Sequence, residues 1–234
     1  MGAEKERAVI VAGGAGAVGE GIVRAFRKAG YAVVIPSRSA KRLEALHAAV
    51  GDGLDLVETD LSDPAAAREF ATNAAARHGG IEVVVAALGG WSHTGRLLDA
   101  SAEVWNRVLE DGLTSHMRTA QALAPLVATT RGVYLLINGG AAEQPVPDYG
   151  PVSITAAAQA MLMRVLDQEL ATSGARSLTL LVDSIVATRS REHPKAQWIT
   201  ADEVGRLAVI LASPEAAPFA GQVVRAGQLR RKAV

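Results

Sequence analysis

A regular alternation constrains this chain more than any other feature: short β-branched runs are separated by longer, alanine-rich stretches of helical period. Strands are expected at about 8–12, 31–36, 54–59, 81–87, 132–138, 177–184 and 222–225, with helices near 17–29, 40–50, 64–78, 101–128, 151–173 and 200–212. The punctuation agrees with this pattern. Gly30 follows the first helix, Ser62-Asp63-Pro64 offers a cap and a first-turn proline, and Thr200 stands before Asp202 and Glu203. No Ser/Gly/Pro-rich linker and no repeat interrupts the series, and 49% hydrophobic content in 234 residues is ample for one large core. The expectation is a single α/β domain over residues 1–234: a doubly wound parallel sheet of about seven strands with helices on both faces. Ligands of such sheets bind beyond the carboxyl ends of the strands, so function belongs in the loops after strands one, two, four, five and six.

Charge and residue usage exclude several functions. Lys+Arg and Asp+Glu cancel at 24 each, so neither nucleic acid nor an anionic membrane is an expected partner. The absence of cysteine rules out disulfides, thiolate nucleophiles and thiolate metal sites. The five histidines never form a close pair on one helix face, and no metal is expected. Ala8–Val11 is far too short for a membrane span or a signal-peptide core, which points to a cytoplasmic protein.

The first strand runs into Ala12-Gly13-Gly14-Ala15-Gly16-Ala17-Val18-Gly19 and then a helix, and Gly14–Gly19 satisfies G-x-G-x-x-G. Glycine lets backbone approach a pyrophosphate, while a helix N-terminus supplies free N–H groups and a positive dipole. Gly13, Gly14, Gly16, Val18 and Gly19 are therefore candidate cofactor-binding residues; the other reading is a tight turn that keeps its shape without a ligand. The second strand ends in Ser37-Arg38-Ser39, with no Asp or Glu from Ile35 to Ala40. A guanidinium there suits a 2′-phosphate and points to NADP rather than NAD, unless Arg38 is only an exposed residue near a helix start. Asp60-Leu61, after the third strand, could hold an adenine edge, or Asp60 could simply shape the next turn.

Over nearly its whole length the layout resembles the short-chain dehydrogenase/reductase family, which implies a Rossmann-like fold. In that family the first loop usually reads T-G-x-x-x-G-x-G; here Ala12 replaces the threonine, Gly13 and Gly19 match, and Ala17 stands where the middle glycine is expected. The resemblance extends to Arg38, Asp60-Leu61, Ala87 and Gly89 after strand four, and Thr188 after strand six, and implies cofactor contacts at each. It fails at the catalytic set. The family's Asn, Ser, Tyr and Lys align with Gly112, Asn138, Pro151 and Thr155. The lysine cannot be recovered by any register shift, because none of the five lysines lies between Lys41 and Lys195. In the family that lysine binds the nicotinamide ribose and lowers the tyrosine's pKa through its charge. Tyr149, two residues before the expected position, is either a substitute acid or a loop residue packed over the site entrance. Asn138 and Tyr149 are the candidate catalytic residues.

A partial similarity to the dihydropteridine reductase branch lies in Leu88-Gly89-Gly90-Trp91, though that branch keeps its Tyr and Lys. Trp91 is either a stacking surface for a planar acceptor or a lid residue packed near Pro145–Tyr149. Asp183 is an unusual neighbour for a nicotinamide unless it caps a loop, and the short polar segment Arg189–Gln197 leaves little to enclose a large substrate. Ala156-Ala157-Ala158-Gln159-Ala160 suits either a family-type homodimer or homotetramer contact or packing on the sheet. The function expected is an NADP(H)-binding member with a degenerate catalytic set, acting on an unidentified small molecule with an activated acceptor or with little redox activity. The alternatives are a non-catalytic nucleotide-dependent sensor or partner-binding protein, and a non-redox lyase or isomerase.

Overall fold

The computed structural model describes residues 7–189, 191 and 193–232, with the backbone alone for 230–232. The strands are β1 (Ala8–Ala12), β2 (Ala32–Ser37), β3 (Leu54–Glu58), β4 (Val83–Ala86), β5 (Val133–Gly139), β6 (Arg176–Val182), β7 (Val186–Ala187), β8 (Ile199–Thr200) and β9 (Val223–Arg225). The helices are α1 (Gly19–Lys28), α2 (Ala40–Val50), α3 (Pro64–His78), α4 (Ala102–Leu109), α5 (Ser115–Thr130), α6 (Gly150–Leu170), α7 (Ala201–Ala212) and α8 (Ala226–Lys232). Seven strands form one parallel sheet in the order β3-β2-β1-β4-β5-β6-β9, while β7 and β8 pair separately. The chain leaves β1 in both directions, and the β1/β4 boundary is the switch point at which such sheets bind ligands.

Both faces of the sheet are covered. Val9, Val11, Val33 and Leu135 pack with Ile22, Phe26, Leu46 and Leu207 on one side. Ala8, Ile10, Val34 and Leu136 pack with Phe70, Leu123, Val127 and Leu166 on the other. Successive residues of a strand point to opposite faces, so runs apolar at every position are what a doubly covered sheet requires.

Two departures from the sequence reading matter for the site. The expected helix over 101–128 is α4 and α5 joined by a π-helical turn at Glu110–Thr114, with Gly112 at its centre. The β7/β8 pair and α8 were not anticipated: strands of two residues carry no periodicity, and the seven residues of α8 span only about two helical turns. Four helix starts are capped by side chains, Ser39 for α2, Asp63 for α3, Ser101 for α4 and a Thr200–Glu203 capping box for α7, while α5 and α6 have no side-chain cap. The start of α1 has no such cap.

Tyr134 of β5 is 1% exposed, and its hydroxyl has no hydrogen-bond partner among the described residues. Burying an unpaired hydroxyl costs about 1–3 kcal/mol. Tyr134→Phe is therefore expected to raise the melting temperature by roughly 2–12 °C, and a calorimetric midpoint at or below that of the parent chain would count against the unpaired hydroxyl. No helix among the described residues is long and apolar enough to cross a membrane.

Candidate functional site

At the switch point the Ala12 carbonyl accepts a hydrogen bond from the Ala87 amide at 2.8 Å, so the loops after β1 and β4 leave the sheet side by side. Gly13 then turns with φ 84°. A Cβ on Gly13 would lie 2.2 Å from the Ala87 carbonyl oxygen, and one on Gly19 would lie 2.1 Å from the Gly13 carbonyl oxygen. These two glycines are thus demanded by the packing of the loop itself. Gly14 is hemmed in by the Val11 carbonyl oxygen at 2.9 Å, whereas at Gly16 a Cβ would meet only the Gly13 oxygen, at 3.1 Å. Gly16 is the open edge of the loop. Together with the uncapped, positively polarised start of α1, this edge fits the phosphates of a dinucleotide. Glu20 in the first turn of α1 would oppose an anion if it stood alone. Arg24 and Arg189 pair with it at 2.6 and 3.1 Å and offset its charge.

The end of β2 presents an exposed Arg38, and the Ser37 hydroxyl accepts from the Ser39 amide at 3.2 Å. Asp60 accepts from the Ser62 amide and hydroxyl at 2.8 and 2.7 Å, so it does shape the turn into α3. Burial pushes the Asp60 carboxyl up, but the Ser62 hydrogen bonds and the nearby Arg38 and Arg118 charges outweigh this and hold it below the usual range. Leu61 packs at the edge of the core beside it.

After β4 the chain passes through Gly89, at φ 89°. Beneath it lies a residue the sequence reading did not single out: His116 of α5, 2% exposed, with Nε2 3.3 Å from the Leu88 carbonyl oxygen. Burial lowers its pKa from 6.5 to about 4, partly countered by the contact with Leu88. The folded chain therefore holds a neutral imidazole where the unfolded chain takes up a proton, and stability should fall as pH drops from about 6.5 towards 4. His116→Leu should flatten that slope, by at most about 1 kcal/mol per pH unit. Urea midpoints at pH 7 and pH 5 measure it; equal slopes in variant and parent would show that His116 is not the group responsible.

Trp91 stacks on Tyr149 with ring centroids 4.6 Å apart and planes 27° apart, and His93 meets Tyr149 edge-on at 5.4 Å. Of the two roles open to Trp91, the structure contains packing on the Tyr149 loop. The Thr94 amide and hydroxyl both donate to the Asp148 carbonyl at 3.1 Å, which fastens the two loops together.

Three of the positions aligned with the family's catalytic set, 112, 138 and 155, hold groups that are hydrogen-bonded to neighbouring protein groups. The Asn138 side-chain amide donates to the Ala156 carbonyl at 2.9 Å, and its oxygen accepts from the Gly139 amide at 2.8 Å. Asn138 is 6% exposed and braces β5 against α6, so it is not presented to a ligand as the sequence reading expected. Thr155, 3% exposed, donates to the Val152 carbonyl at 2.9 Å. A Cβ on Gly112 would lie 3.1 Å from Thr155 Oγ1. The Gly112 carbonyl, in the π-helical turn, accepts from Gln159 Nε2 at 2.6 Å. Gln159 lies one helical turn beyond Thr155, a spacing that could have flagged it in the sequence.

Asp183 takes the capping role: its carboxylate accepts from the Gly227 amide at 3.2 Å. Thr188 follows β7, and its carbonyl accepts from the Arg191 amide at 3.0 Å.

A family profile described as enoyl-(acyl carrier protein) reductase matches residues 13–226. The chain belongs to the short-chain dehydrogenase/reductase family. It is similar to the human dehydrogenase/reductase SDR family member 2, mitochondrial, at 24% identity over 234 residues, covering 92% of this chain and 83% of that protein. Among solved structures it resembles the apo form of a short-chain oxidoreductase from Pseudomonas aeruginosa PAO1 containing an atypical catalytic center. That match has a TM-score of 0.84 and 22% identity, covering 94% of this chain and 95% of the other. It also resembles ElxO with NADP bound, at a TM-score of 0.83 and 18% identity, covering 94% of this chain and 96% of the other. The fold of this short-chain dehydrogenase/reductase is thus that of its family, whose members bind NAD(P).

Proposed function

We propose that this protein is an NADP(H)-binding oxidoreductase of the short-chain family whose proton-transfer slot is closed, so that it acts only on acceptors already activated for reduction. The observation that carries this reading is that the Asn138, Thr155 and Gln159 side chains are each engaged by a backbone carbonyl, of Ala156, Val152 and Gly112 respectively, beside a Gly loop that fits a dinucleotide. Bound there, the nicotinamide coenzyme supplies a hydride donor or acceptor. The Gly loop and the start of α1 hold its phosphates, Arg38 holds the ribose phosphate, and Trp91 and Tyr149 wall the mouth. A positioned general acid contributes ~10²- to 10⁴-fold, whereas orientation of the reactants can contribute more. An electrophilic acceptor can do without the acid; a simple ketone cannot. The Tyr149 hydroxyl or solvent supplies the proton that remains to be transferred.

The same closed slot favours a second reading, a protein that binds nucleotide as a structural or regulatory element without turnover. Assembly is part of the proposal in either case. Ile154, Ala157, Met161 and Val165 form an exposed apolar stripe along α6, with Met117 of α5 also exposed, and this supports a homodimer or homotetramer.

Three measurements test the proposal. NADPH at ~100 times its dissociation constant should stabilise the chain by ~2.7 kcal/mol, a rise of roughly 5–11 °C; no shift with NADPH or NADH overturns both readings. Arg38→Ala should weaken NADPH at least ~10-fold and leave NADH nearly unchanged, consistent with the loss of a charge-assisted phosphate contact; an unchanged preference removes Arg38 from the phosphate role. NADPH oxidation with a quinone panel supports the oxidoreductase, and tight binding without turnover supports the second reading. Rapid reduction of simple ketones or aldehydes would overturn the closed slot.

A further inference from the structure

A groove of about 500 Å³ lies between the body of α1, the end of α2 and the first half of α7. Its walls carry Arg24, Arg27 and Lys28 of α1 and Arg206 of α7, with Asp202 as the carboxylate and Ala25 and Val50 as the apolar residues. We propose that this groove binds a small anion carrying two or more phosphate groups, at a site separate from the coenzyme's, with Arg206 and Lys28 as its principal contacts. None of its lining residues is a candidate coenzyme contact, so the inference stands apart from the cofactor reading.

The groove follows from how two helices meet. A Cβ on Gly21 would lie 2.2 Å from the Ala201 carbonyl, and one on Gly205 would lie 2.3 Å from the Gly21 carbonyl oxygen, so α1 and α7 touch backbone to backbone. The long side chains nearby, Arg24 on α1 and Arg206 on α7, have no room in that contact and line the groove beside it. Charge then decides what can occupy it. Glu20 at 2.6 Å and Asp202 at 2.8 Å both hold Arg24, so the Asp202 charge is committed to a cation on the same wall. Asp202 stands four residues before Arg206, the spacing of a helical ion pair, yet it faces Arg24 instead. Asp52, just past Val50, faces His47 at 3.4 Å and does not line the groove. Arg27, Lys28 and Arg206 are left without a carboxylate partner among the described residues. Local needs account for two of these. Arg27 and Lys28 lie in the last turn of α1, where cations suit the helix dipole, and Arg27 donates to the Val50 carbonyl at the end of α2 at 2.5 Å. Arg206 has no such role: it is exposed, sits in the middle of α7, and has no hydrogen-bond partner among the described residues. In a chain whose 24 basic and 24 acidic residues cancel, this convergence of like charge is not a by-product of composition. Guanidinium forks match phosphate oxygens two at a time, and three uncompensated cations call for more negative charge than one phosphate carries. The volume is that of a small-molecule site.

The test titrates inorganic tripolyphosphate, orthophosphate, citrate and a hexaglutamate peptide calorimetrically against the parent chain, Arg206→Ala, Arg206→Lys, Lys28→Gln and Arg38→Ala. Tripolyphosphate should bind the parent chain ~10-fold more tightly than orthophosphate or citrate, and Arg206→Ala and Lys28→Gln should each weaken it ~10-fold, the loss of one charge-assisted contact. Arg206→Lys should keep part of the affinity, because the charge remains and the fork is lost. Arg38→Ala, on the coenzyme side, should change it less than about 3-fold. The three substituted residues are exposed, so the free variants should melt within about 2 °C of the parent chain, which establishes that they are folded. If tripolyphosphate binds and the loss appears in Arg38→Ala but not in the Arg206 and Lys28 variants, the anion sits at the coenzyme loop; this inference is overturned while the cofactor reading stands. Citrate bound as tightly as tripolyphosphate overturns the phosphate assignment. Hexaglutamate bound more tightly gives the groove to an acidic protein segment and overturns the small-ligand assignment. A parent chain that binds none of the four anions has no such site.

Discussion

Gly13→Ala is expected to melt roughly 6–12 °C below the parent chain and to lose at least ~10-fold in nucleotide affinity. Gly13 has φ 84°, and its added methyl carbon would lie 2.2 Å from the Ala87 carbonyl oxygen and 2.7 Å from the Ala87 carbonyl carbon. The left-handed backbone alone costs an alanine about 1–2 kcal/mol. The contact is with backbone on both sides, so it can be relieved only by parting the β1 and β4 loops, which adds a cost of similar size. A total of about 3 kcal/mol sets the expected shift in melting temperature. Gly16→Ala is the informative companion. Its methyl would meet only the Gly13 oxygen at 3.1 Å, so the free protein should melt within about 2 °C of the parent while its nucleotide affinity still falls. The pair separates a glycine required for folding from one that matters for a ligand. A Gly13→Ala protein that melts with the parent chain would contradict the packing described here.

Reinstating the missing lysine should fail. Thr155→Lys is expected to destabilise by about 3–5 kcal/mol and to bring no ketone or aldehyde reduction, because it places an ammonium in a site with no carboxylate partner. Thr155 is 3% exposed and faces Gly112, whose carbonyl is already held by Gln159. The double variant Pro151→Tyr with Thr155→Lys should be equally inactive. Asn138 remains locked between Ala156 and Gly139 and is not free to bind a substrate oxygen. Stopped-flow NADPH oxidation with a carbonyl panel, alongside thermal melts, reads both effects. Appearance of turnover in either variant would show that the slot opens readily and that the loss of lysine alone explains the chemistry.

Much of this was legible in the residues. The strand–helix alternation correctly placed seven strands, because a doubly covered sheet writes itself into the chain as apolar runs of strand length. The Gly loop could be located because strand, glycines and helix are contiguous. The missing lysine was a matter of counting. Less could be read where a residue had two local roles of equal standing. Asp60 shapes its turn, Asp183 caps α8, and Trp91 lies on Tyr149, and each choice depends on a neighbour brought in from elsewhere in the chain. Asn138 was expected to face a ligand and instead braces a helix 18 residues further on. The π-helical turn at Glu110–Thr114 was not visible either, since its backbone stays helical and one widened turn carries no residue signal of its own.

The amino-acid order by itself therefore determined the α/β architecture, the position of the Gly loop and the lack of any lysine between Lys41 and Lys195, all of which are local patterns or totals. Tertiary structure alone decided what Asn138, Thr155 and Gln159 bond to and what surrounds the Gly loop. Gln159 reaches Gly112 across 47 residues, Arg24 reaches Asp202 across 178, and Arg189 meets Glu20 from the far end of the sheet. Such partners are chosen by which side chains the packed sheet and helices bring within hydrogen-bond distance. That choice depends on three-dimensional proximity, which no periodicity along the chain encodes.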